Sequence, residues 1–204
     1  MTCVKNEVLI LGTASPRRIA LLSQFTLKFK AIASDFDEDS IPFHLPPRQY
    51  VQKIAEGKAE ALNIRFPNAP ILTADTSVYF ENCHFGKPKD QDHAFEMLKK
   101  LRGKEHEVWT GLCLAYKGEL HSLQDVTTVR FNDVSDENLQ QYIKIFNPID
   151  KAGSYAIQDA AGLLVNQISG NYQNVIGFPL TKVAELLNIA GLNLWDYLKH
   201  RSLD

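Results

Sequence analysis

The chain has 204 residues, 45% of them hydrophobic and 23% charged, with 22 Lys and Arg against 24 Asp and Glu for a net charge of −2. This excludes a collagen-like, mucin-like or wholly disordered chain, and a chain of this length buries about 70% of its unfolded surface. So even a balance gives no general attraction to nucleic acid or anionic membrane, so an anionic ligand must be held by local charge. Residues 8–11 form a short continuous apolar run, the mark of a buried strand. A loop follows at 12–14, and Ser15–Pro16 starts a helix, with serine at the cap and proline at the first helical position. Ile19 and Leu22, with Ala20, Leu21 and Phe25, fall at helical spacing.

Residues 29–33 read as a second strand, running into the acidic cluster Asp35, Asp37, Glu38 and Asp39, and Pro42, Pro46 and Pro47 then mark a loop. From 48 to 64, Val51, Ile54, Ala55, Ala59 and Leu62 line one side of a helix. Residues 71–80 read as a strand and 82–88 as a turn-rich stretch that suits a hairpin. Asp90 or Asp92 caps a helix carrying Phe95, Leu98 and Leu101, which Gly103 ends. Residues 107–116 and 119–131 are two strands around Lys117–Gly118. Ser135–Asp136 opens a helix through Leu139, Tyr142, Ile143 and Phe146, stopped by Asn147–Pro148. Short strands are expected at 155–158 and 162–168, and a last long helix at 180–190. With no repeat, linker or boundary in view, one α/β or α+β domain over 1–204 with a mixed sheet is expected, and the hairpins argue against a purely parallel sheet.

The three cysteines, Cys3, Cys83 and Cys113, are odd in number and form no CxxC, so neither a disulfide framework nor a zinc knuckle is suggested. Cys113 lies in an apolar run and reads as a buried thiol. The run at 8–11 is too short for a signal peptide or a bilayer span, and a soluble, cytoplasmic protein is expected.

The stretch Thr13–Ala14–Ser15–Pro16–Arg17–Arg18 carries the clearest chemical signal. Two arginines in the first helical turn oppose the helix dipole, at a cost of about 0.3–1 kcal/mol each, and a bound phosphate would reverse that sign. Thr13 and Ser15 add hydroxyls, and the guanidinium fork matches phosphate oxygens. The bland alternative is that both side chains splay into water. The loop is neither GxxxxGK[ST] nor GxGxxG.

Other charges stand in unusual places. Lys58 lies beside the apolar stripe of its helix and, taken alone, reads as a snorkelling side chain. Asp75 interrupts a strand-like run, where it would either face a cleft as a metal ligand or water activator, or accept turn hydrogen bonds. Lys87 sits between Gly86 and Pro88, in a turn that suits a positioned cation. Gln158 ends the run 151–158 and could read a base edge or satisfy backbone groups. His106 has no second histidine at metal spacing and reads as structural.

Together these segments resemble the Maf family of nucleoside triphosphate pyrophosphatases, once described as septum-formation inhibitors. The resemblance is carried by LGTASPRR (11–18), YVQKIAEGKAEAL (50–62), ADTSV (74–78), GKPKD (86–90), MLKKLRGKEHEVWT (97–110), KAGSYAIQ (151–158) and NYQNVIGFPL (171–180), in family order over nearly the whole chain. It implies an α/β fold with an elongated mixed β-sheet flanked by helices, like that of the inosine triphosphate pyrophosphatases. It also implies hydrolysis of a nucleoside triphosphate to the monophosphate and pyrophosphate with a divalent cation, Mg²⁺ or Mn²⁺. The ending AIQ looks like the dTTP and UTP branch. By the same resemblance, Ser15, Arg17 and Arg18 match the phosphate-binding loop, with Thr13 keeping the hydroxyl of the family's usual serine. Lys58 and Lys87 match lysines of the active cleft, and Asp75 matches the proton acceptor, with metal binding as its second role. Arg17, Thr76 and Gln158 match positions of substrate choice, and Glu38 an acidic position near the metal. The implied partner is the triphosphate substrate, with no nucleic acid or membrane, and a homodimer is left open. Two departures stand out: Asn147 replaces a usual carboxylate, and Asp159 a usual glycine.

In the expected reaction Arg17, Arg18, Lys58 and Lys87 gather on the triphosphate while Asp75 holds the metal, readies the attacking water, or both. Two rivals are a haloacid-dehalogenase-like phosphatase built on Asp35–Phe36–Asp37, and a nucleotide-binding regulator of division with little turnover.

Overall fold

The first apolar run becomes β1 (Leu9–Gly12), buried at every residue and set inside a mixed sheet of seven strands. The computed structural model describes residues 8–158 and 160–199. β1 pairs in parallel with β2 (Phe29–Ala31) and, on its other side, with β3 (Ile71–Phe80). The turn-rich stretch forms the expected hairpin, with β4 (Cys83–Phe85) folding back on the end of β3. Beyond β3 lie β5 (Glu105–Tyr116), β6 (Glu119–Phe131) and β7 (Val165–Ser169), each antiparallel to its neighbour. The mixed sheet and its flanking helices are those expected.

The helices are α1 (Pro16–Leu22), α2 (Pro47–Arg65), α3 (Gln91–Leu101), α4 (Asp136–Phe146), α5 (Tyr172–Ile176) and α6 (Leu180–Ile189). Proline stands in the first turn of α1 and of α2, where its missing N–H costs nothing. Of the two candidate caps for α3 it is Asp90 that serves, accepting from the His93 N–H at 2.7 Å, while Ser135 caps α4. None of the helices is long and apolar enough to cross a membrane among the described residues.

The two-residue period of β3 divides its side chains between two layers. Leu72 and Ala74 join α1 and α6 in one core with Leu21, Leu22, Val183 and Leu186. Ile71 packs on the other face with Ala55, Ala59 and Leu62 of α2. A third cluster, around Val78, Val108 and Phe131, packs α3 and α4 against the far part of the sheet.

Two expectations fail here. Residues 155–158 form no strand, because Gly153 and Ser154 both adopt left-handed conformations (φ +68° and +64°) and turn the chain off any ladder. The stretch expected as a strand at 162–168 instead opens with a 3₁₀ turn at Ala160–Leu163 and becomes β7 at Val165. The five-residue α5, capped by Asn171 and closed by left-handed Gly177, was not expected at all.

Candidate active site

Asp75 shares the β3 face of Ile71 and Thr73, under α2. Thr73 Oγ1 donates to the Ala55 carbonyl at 2.6 Å and ties that helix to the strand. Opposite Asp75, β5 has Gly111. A Cβ there would lie 2.4 Å from the Val51 carbonyl oxygen, so only glycine lets α2 descend this close. One turn beyond Ile54, Lys58 then points its ammonium at Asp75 instead of at water. Its Nζ lies 2.9 Å from Asp75 Oδ1 and 2.9 Å from Glu38 Oε1, and only 12% of the side chain is exposed. The snorkelling reading of Lys58 is thereby replaced: it holds two carboxylates together. Partial burial alone would raise the Glu38 carboxyl, but the charge and hydrogen bond of Lys58, reinforced by Lys87 and Arg18, hold it below its usual range.

The adjacent arginines of α1 are held differently. Arg18 spends Nε on the Gly177 carbonyl (2.9 Å), Nη1 on the Ala74 carbonyl (2.8 Å) and Nη2 on Thr76 Oγ1 (3.0 Å). It binds α1 to β3 and to the end of α5, and burial lowers its pKa against the opposing pull of Asp75. Thr76 Oγ1 also meets Thr110 Oγ1 at 3.0 Å. Arg17, half-buried in the cleft wall, makes no hydrogen bond or ion pair among the described residues and is free to meet a ligand. Thr13 Oγ1 accepts from the Ser15 N–H at 3.0 Å and stiffens the loop below both arginines.

The cleft lining also holds Lys87, exposed in the turn after β4, where the Gly86 carbonyl accepts from the Gly153 N–H at 3.1 Å. Beside it stand three aromatic rings that no local sequence signal announced. His84 packs 4.3 Å from Tyr50 and 5.2 Å from Phe43 between ring centroids. Both its nitrogens are engaged, Nδ1 with Ser77 Oγ and Nε2 with the Leu45 carbonyl, each at 2.9 Å. Burial lowers its pKa, so it stands as a neutral wall group rather than a free base. Burial and the carboxylates of Asp75, Glu38 and Asp39 raise the Tyr50 phenol to about 12, so it stays protonated.

Thr13, Ser15, Arg17, Arg18, Glu38, Lys58, Asp75, Thr76, Lys87 and Gln158 therefore line one cleft of about 1020 Å³. Asp35 and Asp37 do not: both are exposed, and Asp37 caps the 3₁₀ turn Glu38–Ser40 through the Asp39 N–H. The pattern behind the phosphatase rival is thus a capping element. Asn147 is the left-handed end of α4 (φ 42°), a conformation asparagine tolerates, and it lies outside the cleft lining. A carboxylate that the sequence reading passed over does line it: Asp150, paired with Lys151. Asp159 lies outside the described residues, as does Cys3. Cys113 is buried as expected, and burial raises its thiol to about 12.

The donor set suits a hard divalent cation. No group of three or more His, Cys, Asp or Glu that could hold a metal converges among the described residues. Glu38 and Asp75 nonetheless each bring a carboxylate oxygen to 2.9 Å from one ammonium, and Mg²⁺ commonly takes one or two carboxylates and completes its shell with water and substrate phosphates.

A model of the Maf-like protein family matches residues 8–190. The chain belongs to the Maf-like family. Among its relatives, the dTTP/UTP pyrophosphatase of Chlamydia caviae is 40% identical over 93% of this chain and 97% of its own length. The dTTP/UTP pyrophosphatase of Clostridium botulinum is 41% identical over 91% and 98%. The nucleoside triphosphate pyrophosphatase of Chlamydia muridarum is 38% identical over 93% and 97%.

Proposed function

We propose that this Maf-like chain is a nucleoside triphosphate pyrophosphatase that cleaves dTTP and UTP to the monophosphate and pyrophosphate. The observation that carries the reading is the Lys58 ammonium held between Asp75 and Glu38 in a cleft whose walls bring Arg17, Arg18 and Lys87. The names of relatives matching nearly end to end supply the substrate class.

The residues divide the work by position. Lys58 fixes Asp75 through Oδ1, which leaves Oδ2 to accept a proton from a water aimed at the α-phosphorus. Arg17 and Lys87, on separate elements, reach the triphosphate and stabilise charge growing on the departing pyrophosphate. Arg18 keeps the loop in place and adds charge from beneath. Glu38 and Asp75 would hold Mg²⁺ or Mn²⁺, which when bound neutralises phosphate charge and acidifies water. Thr13 and Ser15 offer hydroxyls to phosphate oxygens. Gln158 presents an amide, both donor and acceptor, to a base edge, with Thr76 on the floor nearby.

Hydrolysis of UTP in ¹⁸O-labelled water tests the reading. Pyrophosphate release with the label in UMP is expected. Orthophosphate with UDP, or binding without turnover when Mg²⁺ and Mn²⁺ are supplied, would overturn it.

A further inference from the structure

The segment bearing Gln158 is held by side chains sent to it from elsewhere. After the left-handed pair Gly153–Ser154, residues 155–158 join no strand. Among the described residues, the backbone bond that holds them runs from the Ala156 N–H to the Tyr142 hydroxyl of α4, at 3.3 Å. The stronger anchor comes from β5. His106 Nε2 lies 2.8 Å from the Tyr155 hydroxyl, and the two side chains are buried at 3% and 6% exposure. The ring has no other polar partner among the described residues, for His106 Nδ1 is buried without one. Phe131 packs edge-on against both rings, at 4.9 Å from each. A polar pair this enclosed, with an orphaned nitrogen, is costly for a core that an apolar pair could fill. What it provides is a fixed direction for Tyr155, three residues before Gln158, measured from the strand that also carries Thr110 and Gly111 under the cleft.

We propose that the buried His106–Tyr155 pair is a positioning device that sets substrate selectivity by fixing the segment 155–158, and with it the Gln158 amide, against the cleft floor. The inference rests on the pyrophosphatase reading and deepens it. Tyr155 lines the cleft, but its hydroxyl is engaged by His106, which does not line it, and Asp75, Lys58 and Arg17, to which the chemical step is assigned, sit on other elements. Loosening the pair should therefore spoil discrimination between bases while leaving turnover largely intact. Glutamine at 106 can present an amide where the imidazole Nε2 stands and should restore the contact.

The test measures kcat and KM for UTP and GTP by pyrophosphate release, on the wild type, Tyr155→Phe, His106→Leu, the double variant of these two, His106→Gln and Gln158→Ala, with melting temperatures alongside. Tyr155→Phe and His106→Leu are each expected to lower the UTP-over-GTP ratio of kcat/KM at least fivefold, through KM, with kcat for UTP within threefold of wild type. The double variant should be no worse than either single one, and His106→Gln should keep at least half the wild-type ratio. A ratio within twofold of wild type in folded Tyr155→Phe would overturn the proposal, as would an equal loss of kcat on both substrates. Should His106→Leu fail to fold, Tyr155→Phe, which removes one oxygen, decides alone. Gln158→Ala separates the two layers. If it loses discrimination while Tyr155→Phe keeps it, the positioning device alone fails; if it keeps the wild-type preference, Gln158 does not read the base and both fall.

Discussion

Lys58 Nζ and Asp75 Oδ1 stand 2.9 Å apart at the floor of the cleft, with 12% of either side chain exposed. An ammonium so placed holds the carboxylate in one rotamer beside Glu38. Asp75→Asn preserves the shape and, in the reaction proposed above, removes the proton acceptor. Pyrophosphate release should fall at least roughly a thousandfold, within the range for a lost general base and metal ligand, with the melting temperature little changed. Lys58→Met leaves two carboxylates facing each other. It should cost about 1–3 kcal/mol by denaturant titration, less than the 3–5 typical when a fully buried pair is broken, because Glu38 can relax toward solvent. A wild-type rate in Asp75→Asn would remove Asp75 from the chemistry.

The two arginines of α1 should respond oppositely. Arg18 makes three hydrogen bonds to three separate acceptors, and a lysine cannot reach all of them. Arg18→Lys should destabilise the fold by about 1–3 kcal/mol and lower activity with it, since buried acceptors are left unpaired. Arg17 touches no protein acceptor among the described residues, so Arg17→Ala should change stability by less than about 0.5 kcal/mol. It should raise KM for UTP roughly tenfold or more. Equal stability losses in the two variants would show that Arg17 is also structural.

Glu38 gives the metal reading a readout of its own. Its carboxylate is bonded on one oxygen to Lys58 and half exposed on the cleft side. Chelation with EDTA should abolish pyrophosphate release, and Mn²⁺ or Mg²⁺ should restore it. Glu38→Gln should need roughly tenfold more Mn²⁺ for half-restoration, a typical cost for weakening a metal environment. A rate indifferent to chelation would overturn the assignment of Glu38 and Asp75 to a cation.

The local signals were legible and the long-range ones were not. Ser15–Pro16, Asp90 or Asp92, and Ser135 each announce a helix start because such signals are decided within a few residues; Asp90 and Ser135 cap through their side chains, while Ser15 holds the cap position of α1 without a side-chain bond and the start there belongs to Pro16. Asp75 stood out because a carboxylate breaks the apolar rhythm of a strand. That Lys58 would meet it, and Glu38 from the other side, depended on how closely α2 settles on β5, which Gly111 decides 53 residues further along the chain than Lys58. Residues 155–158 carry a strand-like composition, yet the conformation belongs to Gly153 and Ser154 before them. The aromatic wall of Phe43, Tyr50 and His84 comes from three separate elements and leaves no pattern in any one of them. Asn171 and Gly177, a cap and a left-handed stop six residues apart, were the missed signature of α5.

Gly111 offers a test of that close approach. A methyl group there would meet the Val51 carbonyl carbon at 2.6 Å and the Gln52 nitrogen at 2.9 Å, both backbone atoms of a helix that cannot yield locally. Gly111→Ala should push α2 off the sheet, costing about 3 kcal/mol as overpacking does, and should carry Lys58 away from Asp75. The expected result is a lower denaturation midpoint together with a loss of kcat larger than that of Thr73→Val, which removes the tie between strand and helix without a clash. Normal activity in Gly111→Ala would mean that α2 can shift without disturbing the ion pair.

The buried histidine on β5 predicts the acid limb of stability. Burial depresses His106 to about 3, while in the unfolded chain it titrates near its ordinary 6.5. Between these values the unfolded chain binds a proton that the folded chain refuses, so stability is fully present above pH 6.5 and is lost as pH falls toward 3. The slope from this one group is about 1.4 kcal/mol per pH unit within that window. Carboxylates held by partners, Glu38 among them, add their losses only below their ordinary value of 4.5. The interval from pH 6.5 to 4.5 therefore isolates the histidines. His106→Leu should flatten the stability curve there by about 1.4 kcal/mol per unit relative to wild type, leaving the smaller contribution of partly shielded His84. Urea titrations at pH 6.5, 5.5 and 4.5 on both proteins measure it, and parallel curves would mean that His106 accepts its proton in the folded state.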